Sequence, residues 1–157
     1  MREDVEQTNR TDELMRLMDR LMCHRPSPPK RLTTLTPLDF RAIRVLGEFA
    51  PCTMSSLSAG TGLLVSGLTR VVDRLVSQNI AVRNQNSDDR RCVLVSLTPA
   101  GMRVYRDLRR WRRERAARML CRLDLKEQTQ LLALFERMTA ETSESPAAPC
   151  ARRTEGR

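Results

Sequence analysis

Apolar residues along this chain fall into helical stripes, interrupted once by a stretch of strict alternation. Leu14, Leu17, Met18, Leu21 and Met22 recur at the i, i+3, i+4 spacing of an amphipathic helix, which must end before Pro26. Thr36-Pro37-Leu38-Asp39 has the hydroxyl-x-x-acid form of a helix start, with proline at the first helical position. The helix it opens carries Phe40, Ile43, Leu46 and Phe49 inward and stops before Pro51. Thr53 can cap a short third helix from Met54 to about Gly60, weakened at its end by Gly60 and Thr61, with Gly62 supplying the turn that follows. Leu68, Val71, Val72, Leu75 and Val76 form the stripe of a fourth helix, whose other face carries Ser66, Arg70, Asp73 and Ser77, flanked by Thr69 and Arg74. Leu63-Leu64-Val65 stands where a polar cap is usual, so the start of this helix is open by a residue or two.

The pattern then changes. Ile80 to Arg83 and Cys92 to Leu97 read as two short strands, the second placing Val93, Val95 and Leu97 on one face. Between them runs a polar, turn-rich loop from Asn84 to Arg91, ending on two arginines. Thr98-Pro99 pairs a capping hydroxyl with a first-position proline and starts a long helix to about Arg122. Asp124 and Glu127 form a capping box for a last helix that carries Leu131, Leu132, Phe135 and Met138 inward. Helix, basic-tipped hairpin and helix in succession spell a winged helix-turn-helix. The fold class is therefore mainly α with a small β-hairpin wing, joined to a helical dimerisation region. The expected division is a flexible N-terminus at 1–11, the dimerisation region at 12–35 and 102–142, a winged lobe at 36–101 and a disordered tail at 143–157, where Ser, Pro, Ala and Arg replace apolar periodicity. Dimerisation is expected because the first and last helices carry apolar stripes that a small winged lobe cannot cover; a two-fold copy covers them and presents two recognition helices to a palindrome.

Leu57, Ser66, Thr69, Arg70, Asp73, Arg74 and Leu75, then Asp89-Arg90-Arg91, then Leu97-Thr98-Pro99-Ala100-Gly101, together resemble the DNA-binding lobe of the MarR family of bacterial transcription regulators. The similarity extends more loosely from about Leu14 to about Met138, and the Asp-Arg-Arg wing followed by a strand and Leu-Thr-x-x-Gly is its most specific part. The resemblance implies a repressor that occupies a pseudo-palindromic operator and is released by a small molecule or by oxidation. It also implies an effector pocket between the dimer helices and the lobe, near Leu17, Leu21, Phe40, Ile43, Trp111 and Arg115.

Charge agrees with a polyanionic partner. The formal net charge is +9, with arginine far outnumbering lysine, and arginine suits phosphates and base edges. Ser66, Gly67, Thr69 and Arg70 occupy the end of the recognition helix that enters a major groove, with Arg74 one turn further on; an arginine there can read guanine through two hydrogen bonds. Arg90 and Arg91 at the wing tip suit phosphate or a narrow minor groove, and the resemblance places the second of them in that groove. Asp89 is assigned a structural role in the wing, accepting hydrogen bonds from the turn or a neighbouring arginine. The run from Arg106 to Arg118 could extend the phosphate contact, but reads first as a solvated face with Asp107 and Glu114 neutralising part of it.

Five dispersed cysteines, with no CxxC pair, suit reduced thiols in the cytoplasm. Some relatives within the family sense oxidants through a first-helix cysteine; here Cys23 lacks the aromatic partners such a thiol has, and Cys92 and Cys121 read as packing residues. No apolar run spans a membrane, and the polar N-terminus is no signal peptide. One histidine, His24, cannot furnish a hydrolytic triad, and neither a glycine-rich phosphate loop nor a metal motif occurs, so no enzymatic activity, metal or cofactor is expected. The expected partners are double-stranded DNA, a second copy and a small-molecule effector, at the nucleoid. A winged helix used for protein contacts alone is the rival reading, and Arg70, Arg74, Arg90 and Arg91 argue against it.

Overall fold

The computed structural model describes residues 2–23, 27–85 and 92–140. Six helices and a three-stranded sheet follow in the order α1 (Arg2–Cys23), α2 (Pro37–Phe49), β1 (Cys52–Thr53), α3 (Met54–Thr61), α4 (Val65–Ser77), β2 (Ala81–Gln85), β3 (Val93–Leu97), α5 (Pro99–Leu120) and α6 (Leu125–Ala140), with a 3-10 turn at Lys30–Leu32. The architecture is the expected one, helical with a small antiparallel sheet.

The capping signals act as read. Thr36 Oγ1 accepts the backbone N–H of Asp39 at 3.3 Å while Asp39 Oδ2 accepts that of Thr36 at 2.7 Å, a reciprocal box at the start of α2. Thr53 caps α3 through Ser56 N at 3.1 Å, and Thr98 caps α5 through Gly101 N at 2.9 Å. Asp124 and Glu127 close the second box, each contact at 2.9 Å. Leu64, at the cap position of α4, supplies no side-chain bond, in keeping with its apolar side chain.

Several details differ from expectation. The first helix reaches back to Arg2, through the segment expected as a flexible N-terminus. No proline or glycine interrupts it, and a Glu6–Arg10 pair at 2.6 Å bridges consecutive turns. The short third helix ends at Thr61, within a residue of its expected end, and its last carbonyls meet cations of α2: Arg44 reaches Gly60 O and Arg41 reaches Thr61 O, both at 3.5 Å. Gly62 then turns the chain at φ 66°, in the left-handed region that favours glycine. β1 was not foreseen; its two residues pair with β3, Cys52 opposite Val95, giving the order β1-β3-β2. In the hairpin Ala81 lies opposite Leu97 and Gln85 opposite Val93, so β2 starts one residue later and runs two residues further than its pattern indicated.

One core joins α2, α3, α4 and β3 and extends to α5. It holds Ile43, Leu46, Leu57, Leu68, Val72, Leu75 and Val95, all fully buried. Leu32 and Leu35 also belong to it, so the lobe's packing begins before the expected boundary at 36; Leu108 extends it along α5 beyond 101. Phe49 and Val76, both expected inward, are exposed, while Ala42 and Val45 are buried in the core. Cys52 is buried beside the Phe49 carbonyl, whereas Cys121, expected as a packing residue, is exposed at the end of α5. No residue of α6 is buried. Among the described residues, no helix is long and apolar enough to cross a membrane.

Candidate nucleic-acid interface

The fourth helix divides cleanly between its faces. Leu68, Val71, Val72 and Leu75 are buried, each side chain contributing about 1.5–3 kcal/mol by removal from water. Those anchors fix the roll of the helix, and the roll leaves Ser66, Gly67, Thr69, Arg70 and Asp73 exposed together. Thr69 Oγ1 donates to the Val65 carbonyl at 2.9 Å, leaving its methyl and its two oxygen lone pairs for an incoming base edge. Gly67 has nothing within 4 Å of where a Cβ would stand, so the surface there is open.

Arg74, grouped by sequence with the groove-facing residues, has an internal partner. Its Nε lies 3.1 and 3.2 Å from the two carboxylate oxygens of Asp39, its Nη2 lies 2.6 Å from Oδ1, and Nη2 also reaches Thr36 Oγ1 at 3.2 Å. Asp39 is fully buried, and the hydrogen bonds it accepts raise the Arg74 pKa above the ordinary guanidinium value. The carboxylate that closes the box on α2 thus also grips α4 thirty-five residues away. Arg74 thus ties the recognition helix to α2, a role the sequence pattern did not indicate.

A second ion pair lies on the outer face. Arg83 of β2 meets Asp73 of α4 at 2.6 Å. Both are partly exposed, so the pair adds little stability. It matters for the field, because Asp73 lies among the residues that would face DNA, and its charge is offset before phosphates approach. Sequence reading named Asp73 but missed Arg83; alternation along β2 gave no sign of which helix it faces.

Asp89, Arg90 and Arg91 of the wing lie outside the described residues, as does the side chain of Cys23. Of the expected effector residues, Phe40 and Trp111 come together, their ring centroids 6.1 Å apart and tilted by 44°, beside the core that buries Ile43. The Trp111 indole N–H is buried without a hydrogen-bond partner among the described residues. Arg115, one turn beyond Trp111, is half-buried. Leu17 and Leu21 stand half exposed on α1, outside that cluster.

A recognition helix anchored on one face and open on the other, backed by a short helix and flanked by a hairpin, defines a winged helix-turn-helix regulator of transcription. The MarR family model matches residues 35–93, from just before the second helix to the first residue of β3. The HTH-type transcriptional regulator YcgE of Bacillus subtilis is 31% identical over 110 residues, covering 70% of this chain and 71% of its own. A probable transcriptional regulator from Pseudomonas aeruginosa, solved by crystallography, is 35% identical with a TM-score of 0.58, covering 68% of this chain and 80% of its own. BpsR of Bordetella bronchiseptica, whose DNA binding is regulated by 6-hydroxynicotinic acid, shares the fold at 20% identity with a TM-score of 0.64, covering 83% of this chain and 98% of its own. The chain belongs to the MarR family of DNA-binding transcription regulators, which are not enzymes.

Proposed function

We propose that this protein is a cytoplasmic, homodimeric repressor that seats the N-terminal half of α4 in successive major grooves of a pseudo-palindromic operator and leaves the DNA when a small molecule binds. The observation that carries this reading is the exposed set Ser66, Gly67, Thr69 and Arg70 on a helix whose opposite side is locked into the core. Arg70 reads a base edge there, Ser66 and Thr69 contact phosphate or base, and the wing arginines Arg90 and Arg91 grip the flanking backbone.

The dimer reading is supported by surfaces that one protomer leaves uncovered. Leu14, Leu17, Met18 and Leu21 expose about half their area along α1, and Leu132, Phe135 and Met138 do so along α6. Burial against a second copy removes both stripes from water. Effector release is supported by the buried Trp111 N–H beside Phe40, which has no partner among the described residues and which a ligand acceptor can satisfy, with Arg115 one turn away. Small-molecule control of DNA binding in BpsR, which shares this fold, agrees with that mode of response.

Operator sequences are to be recovered by passing a random duplex library over the pure protein, and wild type and Arg70→Ala then titrated on the recovered site and on random DNA. Arg70→Ala is expected to cost about 1–3 kcal/mol on the operator and little on random duplex, because base contacts carry the discrimination. Equal losses on the two duplexes would assign Arg70 to the backbone. Failure of wild type to enrich any sequence would remove the proposed function.

A further inference from the structure

The fifth helix is charged far beyond what its surroundings balance. Its 22 residues hold eight arginines against two carboxylates, Asp107 and Glu114, a net charge of +6 in a chain whose total is +9. Sequence reading took those carboxylates as neutralising partners. Among the described residues the helix has a single ion pair, Arg110 to Asp107 at 2.7 Å, and the other seven arginines have none.

The unbalanced charge is ordered. Arg103, Arg106, Arg110 and Arg113 recur at i, i+3, i+7 and i+10, one helical face, with Arg109 beside them, and all five are exposed. Leu108, the buried contact of this segment, lies two residues from Arg106 and from Arg110, about 200° around the helix, so these two point away from the core; Arg103 and Arg113 lie about 40° to either side of that direction and Arg109 about 80° to one side. Ten residues at 1.5 Å rise make the stripe about 15 Å long. Because α5 packs along α2 and β3 here, the same lobe carries this stripe and the recognition helix. Like charges at these spacings repel one another and weaken an isolated helix. A polyanion laid along the stripe reverses that repulsion.

We propose that the outer face of α5, from Arg103 to Arg113, is a second, sequence-independent DNA surface that engages duplex phosphates outside the base-reading contact. This rests on the DNA-binding reading above. About 15 Å of duplex carries roughly nine phosphates, more than enough to occupy five guanidinium groups. The guanidinium fork suits phosphate oxygens, and four of the five arginines, all but Arg110, have no carboxylate partner among the described residues. The stripe supplies retention and steering on any sequence, while α4 supplies choice among sequences.

The test is a salt series on random and recovered-operator duplexes, with wild type, Arg103→Gln/Arg106→Gln/Arg113→Gln, and the same three positions changed to lysine. Arg110 is kept so that its pair with Asp107 is intact. The glutamine variant should bind random duplex on the order of ten- to a hundredfold more weakly at 0.1 M salt, with the slope of log affinity against log salt shallower by about 2–3 per protomer. Its preference for operator over random DNA should be unchanged, and the lysine variant should keep most of the slope. Circular dichroism checks that both triple variants fold; should the glutamine variant not fold, the single changes Arg106→Gln and Arg113→Gln are read in its place, each shallower by about 1. Wild-type slope and affinity in the glutamine variants would overturn the second surface while leaving α4 as the reader. A wild type that binds no duplex would instead sink the DNA-binding reading itself, and the stripe with it.

Discussion

Adding one methyl group to two glycines should move this protein in opposite directions. Gly101 is the third residue of α5, where three features meet. Its N–H is capped by Thr98 Oγ1, the same hydroxyl donates to Asn79 O at 2.6 Å, and the Ile80 carbonyl accepts from Thr98 N at 3.0 Å. A Cβ on residue 101 would run into that Ile80 carbonyl oxygen and crowd Ile80 Cγ2 at 3.2 Å. Neither neighbour is the free end of a flexible chain. Gly67 lies within α4 with open space where a Cβ would go.

The magnitudes follow. Alanine in a helix gains roughly 0.5–1 kcal/mol over glycine by reducing the freedom of the unfolded chain. At Gly67 nothing opposes that gain, so Gly67→Ala should raise the thermal midpoint by about 2 °C. At Gly101 the gain is outweighed by overpacking, about 1–3 kcal/mol, and by loosening of the Thr98 cap, about 1 kcal/mol. Gly101→Ala should therefore lose roughly 2 kcal/mol net and drop the midpoint by about 4–8 °C. Calorimetry or circular dichroism at one fixed protomer concentration measures both, since the proposed dimerisation would make the midpoint concentration-dependent. Gly101→Ala melting at or above wild type would refute the packing account of the junction between α4 and α5. Operator titration adds a second axis: Gly67→Ala puts its methyl on the proposed reading face and should alter affinity despite the higher stability.

Thr36→Ala removes one half of the box on α2 and should cost about 1 kcal/mol, whereas Asp39→Asn also takes the carboxylate from Arg74 and should lower the midpoint further; equal drops would show that the tie between α2 and α4 adds nothing. Leu132→Glu and Phe135→Glu alter side chains already half exposed in the protomer, so folding should survive while light scattering reports monomers and operator affinity falls; a dimer persisting in both variants would place the interface elsewhere.

What the chain disclosed of itself follows from the range of the forces involved. Helix starts were legible because caps are local: Thr36, Thr53, Thr98 and Asp124 each bond a backbone N–H three residues on, and the pattern that encodes the bond is the bond. The stripe Leu68, Val71, Val72, Leu75 was legible for the same reason, since periodicity records which side is dry. Val76, at the same spacing, is exposed because a stripe five residues wide overruns the groove between α2, α3 and the sheet. β1 was invisible because two residues carry no period, and its pairing with β3 depends on chain 43 residues away.

The same distinction decides how the candidate site is to be read. Arg70 and Arg74 are one turn apart on one helix, and no local signal separates them. The structure does so through Asp39: one arginine has a buried carboxylate 2.6 Å away and the other has solvent. The Nε and Nη2 groups that Arg74 gives to Asp39 and Thr36 are withdrawn from any guanine edge, which leaves it only Nη1, whereas Arg70 keeps its whole fork. Arg74 ties α4 to α2, and the proposed base contact is left to Arg70. The sequence pattern of a recognition helix thus mixes residues that touch the ligand with residues that hold the helix, and only a long-range partner tells them apart.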